Sequence, residues 1–421
     1  MSQPPQTLFY HANMTSSSIP MAIIADDSSV QSSEQGLGAR LSAIPYRCRC
    51  SRPIFFRNTQ CLNCGALLGY DPALDLLGAL SGSDDQHGWQ LLVDESLLSL
   101  NAAAANVMVN RYRRCHNAFS HASCNWLIAQ SSLHTYCLSC RLNQTIPDLS
   151  LVDNQQAWKK TELAKRLLIR QLLSLQLPVQ SRQDDPVTGL AFDFLKPVGG
   201  EPVLTGHEDG LITLNINEAD DAYRERMRTQ MGEPYRTLLG HLRHEIGHYY
   251  WDRLIDNTPW LEGYRQLFGD ERTDYADALD NYYEQGPQAN WQQAYVSSYA
   301  TSHPWEDWAE TWAHYLHIDA TLKTARRFGF AHESLALEIE KFTLQDLYDP
   351  QHPDAEDFLR LLNASVSLTT VLNEFARSMG QSDHYPFVLT RTVIAKLHFI
   401  HMVIDAQAQQ ARISNQHSFY H

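Results

Sequence analysis

Eight cysteines constrain this 421-residue chain more than any other feature. They are Cys48, Cys50, Cys61, Cys64, Cys115, Cys124, Cys137 and Cys140, and none lies outside that interval. They form two groups of four, each containing a CxxC pair (Cys61 with Cys64, Cys137 with Cys140). A CxxC turn brings two thiolates to one ion, and four thiolates close a tetrahedral zinc site with no position left for chemistry. Two structural zinc ions are therefore expected, one per group. A single interleaved site with spare thiols is the alternative, and in either arrangement Cys48 is the least secure ligand, because CxC is a tighter bite than CxxC. Disulfides fit less well, since the N-terminus lacks the charged start and apolar run of an export signal. A cytoplasmic location is expected.

Hydrophobic residues at 43% and charged residues at 19% allow a packed core. The length suggests two or three domains. No run of 18 apolar residues is present, so no membrane partner is expected. The net charge is −15. Residues 45–150 hold eight Arg and no Lys against seven acidic residues, near +1, so the rest carries about −16. Each four-thiolate zinc site adds a further net −2. An acidic body argues against nucleic acid, whose binding relies on phosphate neutralisation. Arg47, Arg49, Arg52, Arg57, Arg111, Arg113 and Arg114, with Phe55, Phe56 and Tyr112, read as a solvated face plus packing.

Four segments are expected. Residues 1–44, rich in Ser, Gln and Asp, read as a flexible tail. Residues 45–150 are the cysteine region, residues 151–345 a mainly helical domain with a small sheet, and residues 346–421 a helical extension. Apolar periodicity predicts helices over 155–177, 218–231, from Pro234 to about Ile255, from about Pro304 to Thr324, and over 354–378 and 386–411. A strand is predicted at Leu211–Ile216, after Asp209-Gly210.

Residues 244–248 read His-Glu-Ile-Gly-His. At i and i+4 on a helix, both imidazoles reach one metal, and Glu245 lies beside it. Gly247 is expected to leave space beside the metal. Catalytic zinc needs a third protein ligand and an open fourth position. Residues 304–317 (PWEDWAETWAHYLH) supply one on another helix, where Glu306 and Glu310 share a face. His241, His314 and His317 are read as neighbours, Asp307 as off the ligand face, and Trp308, Trp312 and Tyr315 as packing.

HEIGH followed by EDWAE resembles the gluzincins, and the stretch from the cysteines to about residue 325 resembles a bacterial zinc-binding metallopeptidase family with an N-terminal zinc ribbon. The residues that carry it include CLNCGALLGY (61–70), CLSCRLNQTIPDLS (137–150), GLAFDFL (189–195), LTGHEDGLITLNINEADD (204–221) and HPWEDWAETWAHYLH (303–317). The resemblance implies an α+β, zincin-like fold with catalytic zinc on His244, His248 and Glu306. It also implies that Glu310 orients a ligating His, that Tyr299 stabilises an oxyanion, and that strand 211–216 holds substrate by strand addition. Glu245 is then the general base of a zinc-dependent endopeptidase acting on a protein or peptide. The expected complement is one catalytic and two structural zinc ions. A zinc-ribbon interaction module on a catalytically silent scaffold, or a protease of DNA-bound proteins, is the competing reading. Substrate identity and oligomeric state are not legible.

Overall fold

Two small sheets and a set of packed helices carry the cysteine groups and the HEIGH segment. The computed structural model describes residues 46–85, 87–92, 110–197, 199, 201–330 and 337–418, all within one unit, Gly36–His421. The tail expected at 1–44 lies outside the described residues. The first sheet is antiparallel, in the order β1 (Leu68–Asp71), β2 (Leu76–Gly82), β3 (Trp89–Leu92), β4 (Tyr112–Arg114), β5 (Leu127–Ala129). A short helix, α1 (Leu138–Arg141), then leads into β6 (Asn143–Thr145).

That strand leaves the cysteine region and enters the second sheet. The order there is β6, β7 (Ala191–Leu195), β9 (Leu211–Asn215), β8 (Gly206–Glu208), with β6–β7 and β7–β9 parallel and β8–β9 antiparallel. Phe192, Phe194, Ile212 and Leu214 are wholly buried on this sheet. The long helix α2 (Val152–Ser174) buries Trp158, Leu168, Ile169 and Leu172. It ends before Pro178 because Gln176 adopts φ 58°, and Leu177 N turns back to Leu172 O at 3.0 Å. That left-handed turn closes the helix as glycine commonly does.

α3 (Asp221–Met231) follows a 3-10 turn at Ile216–Ala219. α4 (Leu238–Leu254) does not begin at Pro234. Arg236 is held by Glu233 at 2.8 Å and Glu218 at 2.6 Å, and Thr237 Oγ1 caps Gly240 N at 2.9 Å. Those bonds keep 234–237 out of the helix. Two helices with no counterpart in the sequence reading follow, α5 (Leu261–Phe268) and α6 (Tyr275–Gln285). α7 (Pro304–Arg327), α8 (Ala355–Ser378) and α9 (Arg391–Ser418) complete the described chain.

The architecture is α+β and mainly helical. One hydrophobic cluster runs from Tyr46 and Cys48 through Trp158, Phe192, Ile246 and Trp312 to Phe399 and Ile404. The cysteine region, the second sheet and the C-terminal helices thus share a core. Among the described residues, no helix is long and apolar enough to cross a membrane.

Candidate metal centre and active site

The crossing of α4 and α7 builds the site. At Gly247, a Cβ would lie 3.0 Å from Ala309 Cα and 3.2 Å from Trp312 Cβ. The missing side chain therefore admits the backbone of α7, rather than opening space beside a metal as its position suggested. Trp308 Nε1 donates to Gly247 O at 2.9 Å and clamps the crossing. Pro304 opens α7, and His303 Nδ1 caps it by accepting from Trp305 N at 3.1 Å. The first turn of α7 is thereby laid against the HEIGH turn of α4.

This brings His244, His248 and Glu306 together. His244 Nε2 lies 3.0 Å and His248 Nε2 3.5 Å from Glu306 Oε2, and the two Nε2 atoms are 3.2 Å apart. Tetrahedral zinc bonds of 2.0–2.1 Å separate their donor atoms by roughly 3.3 Å, so the triangle fits one ion. Glu306 is 1% exposed, and Oε2 has no hydrogen-bond partner among the described residues. Such a buried carboxylate oxygen is costly without a cation.

The surrounding bonds orient the three groups. Glu310 Oε1 lies 2.7 Å from His244 Nδ1, and Glu310 Oε2 accepts from Ser297 at 2.6 Å. Placing the proton on Nδ1 leaves the Nε2 lone pair facing Glu306 Oε2, where a metal ion would sit. Burial opposes ionisation of Glu310, but the His244 bond outweighs it and holds the carboxyl at about 2. Glu306 Oε1 accepts from Tyr275 at 2.6 Å, a contact with no signal in sequence spacing. His248 packs on Trp305, ring centroids 3.9 Å apart. Glu245 is 8% exposed. Burial pushes its carboxyl up, with His244 and His248 pulling the other way.

Tyr299 sits beside this group, its ring 6.0 Å from that of His244. Its ring also meets that of Tyr282 edge-on, centroids 5.8 Å apart. Burial raises Tyr299, and the charges of Glu306 and Glu245 add to it.

His241 lies outside the triangle, 3.6 Å from Glu218, and burial pushes it down to about 3. His314 bonds Tyr385 at 2.6 Å and His317 bonds Arg243 at 2.7 Å. Asp307 points to Lys396 at 2.6 Å. The strand at 211–215 cannot add a substrate strand, because β7 and β8 already occupy both of its edges. On that side of the sheet the edge is β8, whose His207 ring lies 6.4 Å from that of His248.

The cysteines form two separate groups, not one interleaved site. Within each, the four Sγ atoms lie within 4.8 Å of one another. Cys48–Cys64 is 3.6 Å, Cys50–Cys61 3.7 Å and Cys124–Cys137 3.8 Å. Tetrahedral Zn–S bonds of 2.3 Å place sulfurs roughly 3.8 Å apart, so both groups fit zinc. Gly65, at φ 70°, makes the turn after Cys64. Of the basic-aromatic set, Arg47, Arg49, Arg52, Arg57, Arg111 and Phe55 are exposed, Phe56 and Tyr112 are buried, Arg114 bonds Asp84 and stacks on Phe119, and Arg113 bonds His134 O at 3.1 Å.

Two four-cysteine groups beside a buried His/His/Glu triangle define a zinc-ribbon protein with a metallopeptidase-like domain. Residues 154–403 match the family described as "Putative zinc-binding metallo-peptidase", and residues 45–151 match a zinc-ribbon domain family. The chain belongs to that metallopeptidase family. It is 40% identical over 360 residues to uncharacterized proteins of Mycobacterium tuberculosis and Mycobacterium bovis, covering 85% of this chain and 94% of each relative. No solved structure matches it.

Proposed function

We propose that the protein is a zinc-dependent endopeptidase that hydrolyses peptide bonds of a protein substrate, with Glu245 as general base. The observation that carries this is the triangle of His244 Nε2, His248 Nε2 and Glu306 Oε2, with 3.0–3.5 Å edges beside a buried Glu245. One catalytic and two structural zinc ions complete the proposal, with a ribbon over 45–150, a peptidase domain over 151–345 and a helical extension over 346–421.

When bound, zinc lowers the pKa of a coordinated water towards about 7 and polarises the scissile carbonyl. Glu245 accepts the proton of the attacking water and returns it to the leaving nitrogen. Tyr299 donates to the developing oxyanion. Glu310 fixes the tautomer of His244, and Tyr275 holds Glu306 by Oε1. An extended substrate segment pairs along β8, the sheet edge beside His248.

The test is a proteome-wide comparison of protein N-termini between cells carrying wild type and Glu245→Gln. New N-termini confined to wild type support the proposal. Identical sets, with both proteins zinc-loaded, defeat it.

A further inference from the structure

The two four-cysteine groups differ in surroundings. In the first, Cys64 is exposed and Cys50 half-buried, so water reaches the sulfurs. In the second, Cys115, Cys124, Cys137 and Cys140 are all buried, at 5% exposure or less. Four thiolates around one divalent zinc carry a net −2, and at the second group water cannot screen that charge. A buried charge of this kind requires a partner.

The partner is on α2, outside the ribbon. Three ionisable residues there are buried: Glu162, Lys165 and Arg166, exposed by 0%, 0% and 4%. Lys165 Nζ bonds Glu162 Oε1 at 2.7 Å, so these two cancel. Arg166 is left over. Its Nη2 donates to Ala122 O at 3.2 Å, in the loop between Cys115 and Cys124. Its Nη1 is 3.7 Å from Glu162 Oε2, and neither Nη1 nor Nε has a hydrogen-bond partner among the described residues. With neutral thiols, the core would hold an excess cation with orphaned N–H groups. With a thiolate-bound metal it holds the anion that cation needs. Glu162 Oε2 lies 3.8 Å from Cys140 Sγ, which places this charged trio against the cysteine group.

We infer that Arg166 is the counter-cation of the Cys115/Cys124/Cys137/Cys140 metal site, so that this site belongs electrostatically to the peptidase-like core rather than to the ribbon alone. The same helix continues to Gln171, which accepts from Arg243 at 2.8 Å and donates to Leu316 O at 2.6 Å. α2 therefore links the second cysteine group to both helices of the His/His/Glu triangle. The inference requires zinc at the cysteines but no peptidase activity.

The test uses the full-length, zinc-loaded protein as wild type, Arg166→Met and Arg166→Lys. Zinc release to a chromogenic chelator is followed together with alkylation of each cysteine, read by mass spectrometry. Arg166→Met is expected to release one zinc equivalent about tenfold or more faster, as loss of an outer partner does at other metal sites. Alkylation should rise at Cys115, Cys124, Cys137 and Cys140 and stay unchanged at the first group. Arg166→Lys, which keeps the charge, should release zinc at close to the wild-type rate. Equal release from wild type and Arg166→Met overturns the inference, as does release from Arg166→Lys as fast as from Arg166→Met. If Arg166→Met yields no soluble protein, Arg166→Gln replaces it; equal release from the Gln and Lys variants then overturns the inference.

Discussion

The hydroxyl of Tyr275 donates to Glu306 Oε1 at 2.6 Å, leaving Oε2 of the same carboxylate 3.0 Å from His244 Nε2. One oxygen is held by a phenol and the other faces the imidazoles, so the carboxylate offers a metal a single donor. Tyr275→Phe is expected to weaken zinc at this site by about 10–100-fold and leave both cysteine sites loaded. Tyr299→Phe is expected to keep zinc while lowering kcat by roughly 10²–10³-fold, the usual loss for an oxyanion donor. Zinc titration beside a cleavage assay separates the two tyrosines.

Gly247 lets α4 and α7 touch. Gly247→Ala would gain about 1 kcal/mol of helix propensity. It would also force a methyl against the Ala309 backbone at 3.0 Å, and overpacking of this kind costs about 1–3 kcal/mol. The net expectation is a lower urea midpoint and weaker binding of the catalytic zinc, since Glu306 moves with α7. A variant as stable as wild type, with unchanged zinc affinity, would show that the crossing has slack.

Asp75 joins the ribbon to the helices. It accepts from Tyr46 at 2.7 Å, Tyr70 at 2.9 Å, Arg170 of α2 at 2.6 Å and Arg327, the last residue of α7, at 3.1 Å. Asp75→Ala would remove the carboxylate that Arg170 and Arg327 share. A loss of about 3–5 kcal/mol is expected from denaturant unfolding. A loss below about 1 kcal/mol would mean the contact is weakly coupled to folding.

Stability should fall on mild acidification. His398, wholly buried on α9, is pushed down to about 4, first by burial and then by His401 and His352, against Asp354 and Asp349. Its ordinary value is about 6.5. The folded state binds this proton more weakly than the unfolded chain. Its stabilisation is therefore full above about pH 6.5 and is lost as pH falls towards about 4. Burial pushes His314 down to about 4 as well. Urea midpoints at pH 7 and pH 5 should differ less for His398→Gln than for wild type. The metal ligands contribute to both proteins, so the difference reports His398. Parallel pH profiles would assign the slope elsewhere.

The candidate metal donors stand out in the sequence where their spacing is local. His244 and His248 sit one turn apart, Glu306 and Glu310 likewise, and each cysteine group contains a CxxC pair. What pairs with them was not legible. Tyr275 lies 31 residues before Glu306, in a stretch assigned no element. Signals were present there, as Asp274 caps α6 by accepting from Asp277 N at 2.9 Å, and Gly286 at φ 78° follows its end. The edge status of strand 211–215 depended on β8, three residues long and too short to show alternation. The false start at Pro234 came from ranking proline above Thr237, although Thr237 makes the capping bond. Gly247 suggests space beside a metal only because a sequence cannot show which helix approaches it.

The most direct test of the account is a zinc-edge anomalous difference map from crystals of the wild-type protein. The expected result is one peak about 2.0–2.2 Å from each of His244 Nε2, His248 Nε2 and Glu306 Oε2, with one further peak inside each cysteine group. A map with both cysteine peaks but none among those three donors would contradict the central claim.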